Sequence, residues 1–239
     1  MRKWTHLLVT LALSAPAWGQ DSKSLDLELS RKLAVSSVPV ERIPARYREE
    51  VRRLLQEGWY QHGRWEAFLC EPKTYEWILD HPEQAARGWQ NLGAVCASVH
   101  KDGDGVYSAQ DRQGNTIVCH LVLHQPGRRM WLVEGKAVMV PLLPPVSYRA
   151  AVLLEYEEVT SRGERLGIRH RAEVFVTVQA SGASGVGAAW AKAAFANHAR
   201  ALLDQIQLFF SGVSWYASTH PSWAEKHLYA AEESLPSVR

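Results

Sequence analysis

Apolar and polar positions alternate in different ways along the chain, and the change marks its organisation. Residues 45–58 carry apolar side chains every three or four positions and end at a glycine, which predicts a helix. The short apolar run at 65–70 predicts a strand. Residues 72–93 are again helical, with a break at His81-Pro82, because the residue before a proline avoids helical backbone.

From residue 94 onward the apolar period changes to two, which is typical of strands. In the last two segments of this region, apolar residues share one face and charged residues the other, so one buried and one solvated face are predicted. Six strands are predicted, at 94–99, 106–111, 115–124, 130–140, 148–159 and 166–179.

The last large element is a single long helix. Residues 188–218 contain no proline, and their apolar side chains step by three, four or seven positions. A helix of about 30 residues is roughly 45 Å long, which is enough to cross a whole sheet. A short helix is predicted after it, at 222–233.

This order of elements resembles the helix-grip fold of the START-like or Bet v 1-like (SRPBCC) superfamily. The resemblance covers about residues 65–220 and concerns the order and length of the elements. It implies an α+β fold, in which a curved antiparallel sheet of about seven strands wraps on a long C-terminal helix, with an extra N-terminal helix. It also implies a cavity between sheet and helix for a sterol, lipid, polyketide or other apolar molecule.

Twelve positions fall on the faces that would line such a cavity. They are Cys119, Leu121, Trp131, Val133, Val152, Leu154, Tyr156, His170, Val174, Phe195, Leu202 and Phe209. His170 is the ionisable residue of interest, because it lies on the apolar face of its strand. It is either a core histidine bonded to a neighbour or a group with a ligand-contacting or acid-base role.

Three functions are consistent with this pattern. The first is an exported module that binds a hydrophobic small molecule or lipid and needs no cofactor. The second is a cyclase-like or dehydratase-like enzyme with His170 as general base and a tyrosine as proton donor. The third is a protein-interaction domain without a cavity, whose interior is filled by Trp131, Trp190 and Trp215.

The N-terminus has the three parts of a secretion signal. Arg2 and Lys3 precede an apolar run at 7–13, and the small residues in Ala17-Trp18-Gly19 suit cleavage after the glycine. The apolar run is shorter than the roughly 20 residues that span a bilayer. Residues 1–19 are therefore predicted to be a signal peptide, and the protein is expected in a periplasm or outside the cell.

The remaining chain divides into three parts. Residues 20–44 are polar and aperiodic, which predicts a linker. Residues 45–220 form the helix-grip domain, including its N-terminal helix, and 221–239 form a short helix and tail. One loop of the domain, Met139 to Pro145, is unusually apolar. It is interpreted either as a lid or peripheral membrane contact, or as a loop tucked against the long helix.

Charge and cysteine content exclude several classes. The chain has 27 basic and 25 acidic residues, and residues 1–20 contain two basic and no acidic ones, so 27 − 2 = 25 of each remain after cleavage. A neutral chain without a basic tract does not predict nucleic-acid binding. Three cysteines without a CxxC spacing do not predict a zinc site, and at most one disulfide can form.

Two short motifs look like metal sites but predict none. Residues 100–111, HKDGDGVYSAQD, match a calcium loop in neither register of their aspartates, and Asp-Gly-Asp-Gly between strand patterns predicts a hairpin. His120 and His124 would share a helix face, but on a strand they are about 13 Å apart. Both histidines are expected on the solvated side of the sheet.

Overall fold

The computed structural model describes residues 18–94, 96–138, 145–161, 164–179 and 186–229. These residues fall into two units, one ending at Ser37 and the other beginning at Val38. The first unit contains helix α1, Trp18–Ser37. Part of the segment predicted to be a linker is therefore helical. Helix α1 contains no proline, and after Gly19 no glycine, so intrinsic propensity favours a helix even without a clear apolar stripe.

The second unit begins with a 3-10 turn at Val40–Arg42, and its described residues continue with five helices and eight strands. Its helices are α2 (Ala45–Glu57), α3 (Pro72–Asp80), α4 (Pro82–Asn91), α5 (Val186–Thr219) and α6 (Pro221–His227). Its strands are β1 (Trp59–His62), β2 (Glu66–Phe68), β3 (Ser98–Gly103), β4 (Val106–Gln110), β5 (Thr116–Gln125), β6 (Arg128–Ala137), β7 (Val146–Ser161) and β8 (Glu164–Gln179).

All strand pairs are antiparallel, and the sheet order is β1-β8-β7-β6-β5-β4-β3, with β2 also paired to β8. The predicted α+β helix-grip architecture is confirmed. The described residues form eight strands instead of about seven, because β1 was not predicted. It follows α2 directly and is only four residues long, too short for a period to be read.

The first strand of the long run was predicted four residues too early. The structure begins β3 at Ser98, and pairing with β4 places Asp104 and Gly105 in a two-residue hairpin turn. Gly105 has a φ of +64°, a conformation that suits glycine in such turns. The turn fixes the register, so it overrides the apolar run at 94–99. The predicted hairpin at 100–111 is confirmed.

Helix α2 covers part of the outer face of β7 and β8, the face that points away from α5, so the prediction that this whole face is solvated is wrong, although Glu157 and Arg169 are exposed there. On the outer face, Ala151, Leu153 and Phe175 are fully buried. Helix α2 contacts β7 and β8 there and buries its own apolar stripe, which includes Val51 and Leu54. Each large apolar side chain buried in this way stabilises the fold by about 1.5–3 kcal/mol.

Irregular pairing in β5 separates the two histidines that were expected on one solvated face. The register with β6 shifts between Leu121 and Leu123. Before the shift, the Nδ1 atom of His120 lies 3.2 Å from the hydroxyl of Tyr47 on α2. After the shift, His124 is exposed, with its Nδ1 3.8 Å from a carboxylate oxygen of Asp80 on α3. His120 keeps the predicted face but is half-buried against α2, whereas His124 is exposed, as predicted, but lies on the opposite face.

Helix α5 packs on the inner face close to one side of the sheet. In the described part of the chain it packs against α3, β8, β2 and β1. Gln207 of α5 is buried and donates to the carbonyl of Arg64 at 2.8 Å. Gly63 has no space for a Cβ, because the Gln207 side chain occupies that position. This close approach on one side leaves more room between α5 and the strands on the other side.

Candidate functional site

A cavity of about 320 Å³ lies between α5 and the inner face of the sheet. Strands β3 to β8 contribute to its wall, and α4 contributes Pro82 and Ala86. Its volume is within the range of small-molecule sites, which begins at about 300 Å³. The cavity exists because α5 packs closely on the β8 side, while the β3–β5 side of the sheet lies further from the helix.

Nine of the twelve predicted positions line this cavity. They are Cys119, Trp131, Val133, Val152, Leu154, Val174, Phe195, Leu202 and Phe209. They come from four neighbouring strands and from α5, so the fold brings together residues that are far apart in sequence. The indole of Trp131 stacks on Phe210 with ring centroids 6.3 Å apart, which connects the sheet wall with the helix wall.

The other three predicted positions are elsewhere. Leu121 packs against the core at its edge, and Tyr156 and His170 are buried near α3. Several lining residues were not predicted from the sequence. Tyr107, Ile117, Leu203 and Phe210 belong to this group, as do Tyr148 and Ile206. The last two could have been found, because both lie on apolar faces that the sequence pattern already defines.

Two of the tryptophans proposed to fill the interior do not do so. Trp131 is part of the cavity wall, and Trp215 is 45% exposed on α5. The side chain of Trp190 lies outside the described residues. The cavity itself therefore argues against the interpretation that this is an interaction domain with a filled interior.

The described residues that line the cavity include no aspartate, glutamate, lysine, arginine or histidine. Burial raises the pKa of the Cys119 thiol to about 12. The pKa of Tyr148 is also raised, chiefly by burial and then by the nearby Cys119 and Asp111. Both groups are therefore uncharged at neutral pH, and the described wall offers an incoming molecule no full charge.

His170 lies beneath α3, with no solvent-exposed surface. Its Nδ1 atom is 2.6 Å from the hydroxyl of Tyr75, and its Nε2 atom is 3.4 Å from a carboxylate oxygen of Glu66. Phe68 packs edge-on against the imidazole, with ring centroids 4.9 Å apart. Burial lowers the pKa of His170 to about 4, so the ring is neutral at neutral pH. Of the two interpretations of His170, this geometry favours the core histidine bonded to a neighbour.

Substituting His170→Gln is expected to flatten the acid side of the stability profile. The unfolded histidine takes up a proton near pH 6.5, whereas the folded one does so near pH 4. Stability is therefore lost as the pH falls through this window, by about 2 kcal/mol between pH 7.5 and 5. Urea unfolding at both pH values measures the difference. Parallel profiles for the two proteins would contradict it, and His100→Gln at an exposed position is the control.

A second buried ionisable group, Glu173, lies on the outer face of β8 and has no exposed surface. Arg171 is 2.6 Å from its Oε1 atom, and its Oε2 atom has no hydrogen-bond partner among the described residues. Burial raises the pKa of Glu173 to about 7, against the opposing effect of Arg171. This carboxyl group thus costs stability when it ionises in the folded protein.

Glu173→Gln is expected to stabilise the protein above neutral pH. The folded carboxyl keeps its proton up to about pH 7, whereas the unfolded one loses it near pH 4.5, so stability falls as the pH rises through this window. The variant should gain about 2 kcal/mol over the wild type between pH 5 and 7.5. The pH dependence of stability due to Glu173 is opposite in sign to that due to His170. Each substitution removes one of these two contributions, so the other can be measured by itself. The assignment would be contradicted if the stability that Glu173→Gln gains over the wild type were smaller at pH 7.5 than at pH 5.

Neither a cluster of metal ligands nor a membrane-spanning helix is found among the described residues. No group of three or more metal-ligating side chains is found among the described residues. None of the helices in the described ranges is both long and apolar enough to cross a membrane. The apolar loop predicted as a lid or membrane contact, Met139 to Pro145, lies outside the described residues except for its last proline.

Comparisons with known proteins give only distant likenesses. No protein-family model matches the chain, and no curated protein matches it. Among solved structures, a conserved protein from Geobacillus kaustophilus has 14% identity and a TM-score of 0.43, covering 71% of this chain and 97% of the other. The di-domain ARO/CYC BexL from the BE-7585A biosynthetic pathway has 12% identity and a TM-score of 0.37, covering 82% and 60%.

Proposed function

We propose that this chain is a START-like or Bet v 1-like helix-grip protein that binds an apolar small molecule or lipid between its sheet and α5. The observation that carries the proposal is the cavity of about 320 Å³ with its predominantly apolar wall. An apolar ligand gains about 25 cal/mol for each Å² of surface removed from water, so burial alone drives binding. Aromatic side chains of Trp131, Phe195 and Phe209 provide much of the contact area.

Binding without reaction fits the geometry better than catalysis does. The one histidine proposed as a general base, His170, is engaged by Tyr75 and does not line the cavity. The cavity wall in the described residues has no other group that exchanges protons near neutral pH. A cyclase or dehydratase would need such a group within hydrogen-bond reach of its substrate.

Native mass spectrometry of protein purified without detergent tests the proposal. A reproducible adduct that can be extracted with solvent and that is apolar by chromatography would support it and identify the ligand class. A mass equal to that of the chain alone, even after incubation with membrane extract, would contradict it. That result would favour an interaction domain.

We also propose that the protein is exported. The support is the N-terminal pattern of Arg2 and Lys3, an apolar run and Ala17-Trp18-Gly19. When the full sequence is expressed in a bacterial host, the intact mass of the product should correspond to a chain beginning at Gln20, recovered from the periplasm or medium. A full-length product retained in the cytoplasm would contradict export.

A further inference from the structure

The cavity has a polar feature that the proposed function does not use, the hydroxyl group of Tyr148. Tyr148 lies near the start of β7, on its inner face. Its ring packs against Phe195 of α5 with centroids 4.9 Å apart. The ring also lies over Gly135 of the neighbouring strand, where a Cβ would meet it. The side chain is therefore held in place from two sides and is 7% exposed.

The hydroxyl of Tyr148 makes no hydrogen bond with any described residue, and its oxygen keeps accessible surface, so a molecule in the cavity can reach it. The other tyrosine in the wall differs in this respect, because the Tyr107 hydroxyl donates to the carbonyl of Asp80 at 3.0 Å. Ser108 and Gln205 also line the cavity, but both are more exposed to water than Tyr148. The Cys119 thiol is a weak donor. Among the described lining residues, Tyr148 thus presents the strongest donor that has no acceptor within the described protein.

The neutrality of the wall restricts what can accept this hydrogen bond. A ligand carboxylate or phosphate would lose its hydration and meet no cation among the described lining residues. The carboxylate of Asp111, which accepts from the backbone N–H of Gln113 and Asn115, adds a negative charge that acts on Tyr148. An anionic group at this end of the cavity would therefore be repelled, whereas a carbonyl or ether oxygen would not.

We propose that the ligand is an uncharged apolar molecule with one hydrogen-bond acceptor, such as a ketone or ester oxygen, which binds the Tyr148 hydroxyl. This inference rests on the proposed function and specifies its ligand class. The apolar part lies toward Trp131 and Phe210, and the oxygen lies at the Tyr148 end. Specificity arises because an acceptor satisfies the hydroxyl, while a pure hydrocarbon leaves it without a partner.

Three probes of similar size and shape test the inference: 4-phenyl-2-butanone, butylbenzene, and 3-phenylpropionate, in which an oxygen replaces the terminal methyl group of the ketone. Their affinities at pH 7.5 are measured from chemical-shift changes in protein NMR spectra. The ketone and the hydrocarbon should both bind, because the ketone oxygen loses its hydration on entering the cavity and regains one hydrogen bond from Tyr148. The carboxylate should bind more weakly than either of them.

Two tyrosine variants provide the matched comparison. Tyr148→Phe keeps the ring on Phe195 and removes only the hydroxyl, so it should weaken ketone binding about three- to tenfold and leave butylbenzene unaffected. Tyr47→Phe removes a hydroxyl that is bonded to His120 and lies outside the cavity, so its ketone affinity should stay within about twofold of the wild type.

The outcomes separate the inference from the proposed function. If Tyr148→Phe weakened ketone binding no more than butylbenzene binding, the inference would be overturned and apolar binding would remain intact. Tighter binding of the carboxylate would also overturn it. Failure of all three probes to bind would contradict the proposed function and the inference together.

Discussion

Ala199→Phe is expected to abolish ligand binding while the protein remains folded. Ala199 lies on α5, is 6% exposed and lines the cavity, so a phenylalanine there places its ring in the space that a ligand would occupy. The ring would occupy the part of the cavity next to α5, so a ligand could no longer pack against that helix. The affinity for 4-phenyl-2-butanone should fall at least about 100-fold, which corresponds to about 2.7 kcal/mol.

The same helix offers a matched control two residues away. Ala201 is exposed, so Ala201→Phe introduces the same ring on the same helix but into solvent. Its ligand affinity should equal that of the wild type. Urea unfolding distinguishes a blocked cavity from a damaged fold, and both variants should remain within about 1.5 kcal/mol of the wild type. Unchanged binding by a stable Ala199→Phe protein would place the ligand elsewhere.

The sequence predicts the faces of the long elements well, because strand and helix periods are strict. Alternation along β7 and β8 correctly places Val152, Leu154 and Val174 in the cavity wall. The same alternation places Tyr156 and His170 on that inner face too, but α3 covers them. A period specifies the face of a strand and contains no information about which helix lies over a given position. Only the structure therefore shows which inner-face positions line the cavity and which lie beneath α3.

Packing partners were the other part that the pattern did not contain. Helix α2 was predicted from its own apolar stripe, yet its docking on the outer face of β7 and β8 was not. The charged residues on that face suggested water, but Arg149 pairs with Glu50 of α2 at 3.4 Å. Long charged side chains can line a helix contact in this way, with their aliphatic stems against the neighbouring surface. Alternating charge therefore does not by itself indicate a solvated face.

The largest stability effect is expected at Arg129 of β6, which connects the sheet to the end of α3. Its guanidinium is 2% exposed and donates to the carbonyl of Gln125 at 2.6 Å and to the hydroxyl of Tyr156 at 3.1 Å. Its Nε atom lies 3.3 Å from a carboxylate oxygen of Asp80. The Tyr156 hydroxyl in turn donates to Glu76 at 3.1 Å. One buried cation thus holds an acid, a tyrosine and a main-chain carbonyl together.

Arg129→Ala should lower the free energy of unfolding by about 3–5 kcal/mol, because it removes one member of a buried ion pair and leaves the other polar groups without their donor. Arg129→Lys, which keeps the charge but loses the planar fork of donors, should fall between this variant and the wild type. Arg52→Ala is the control, since its pair with Glu41 is largely exposed and contributes at most about 1 kcal/mol. Urea unfolding at pH 7.5 measures all three. An Arg129→Ala loss no larger than that of the control would show that the network beneath α3 does not hold the helix on the sheet.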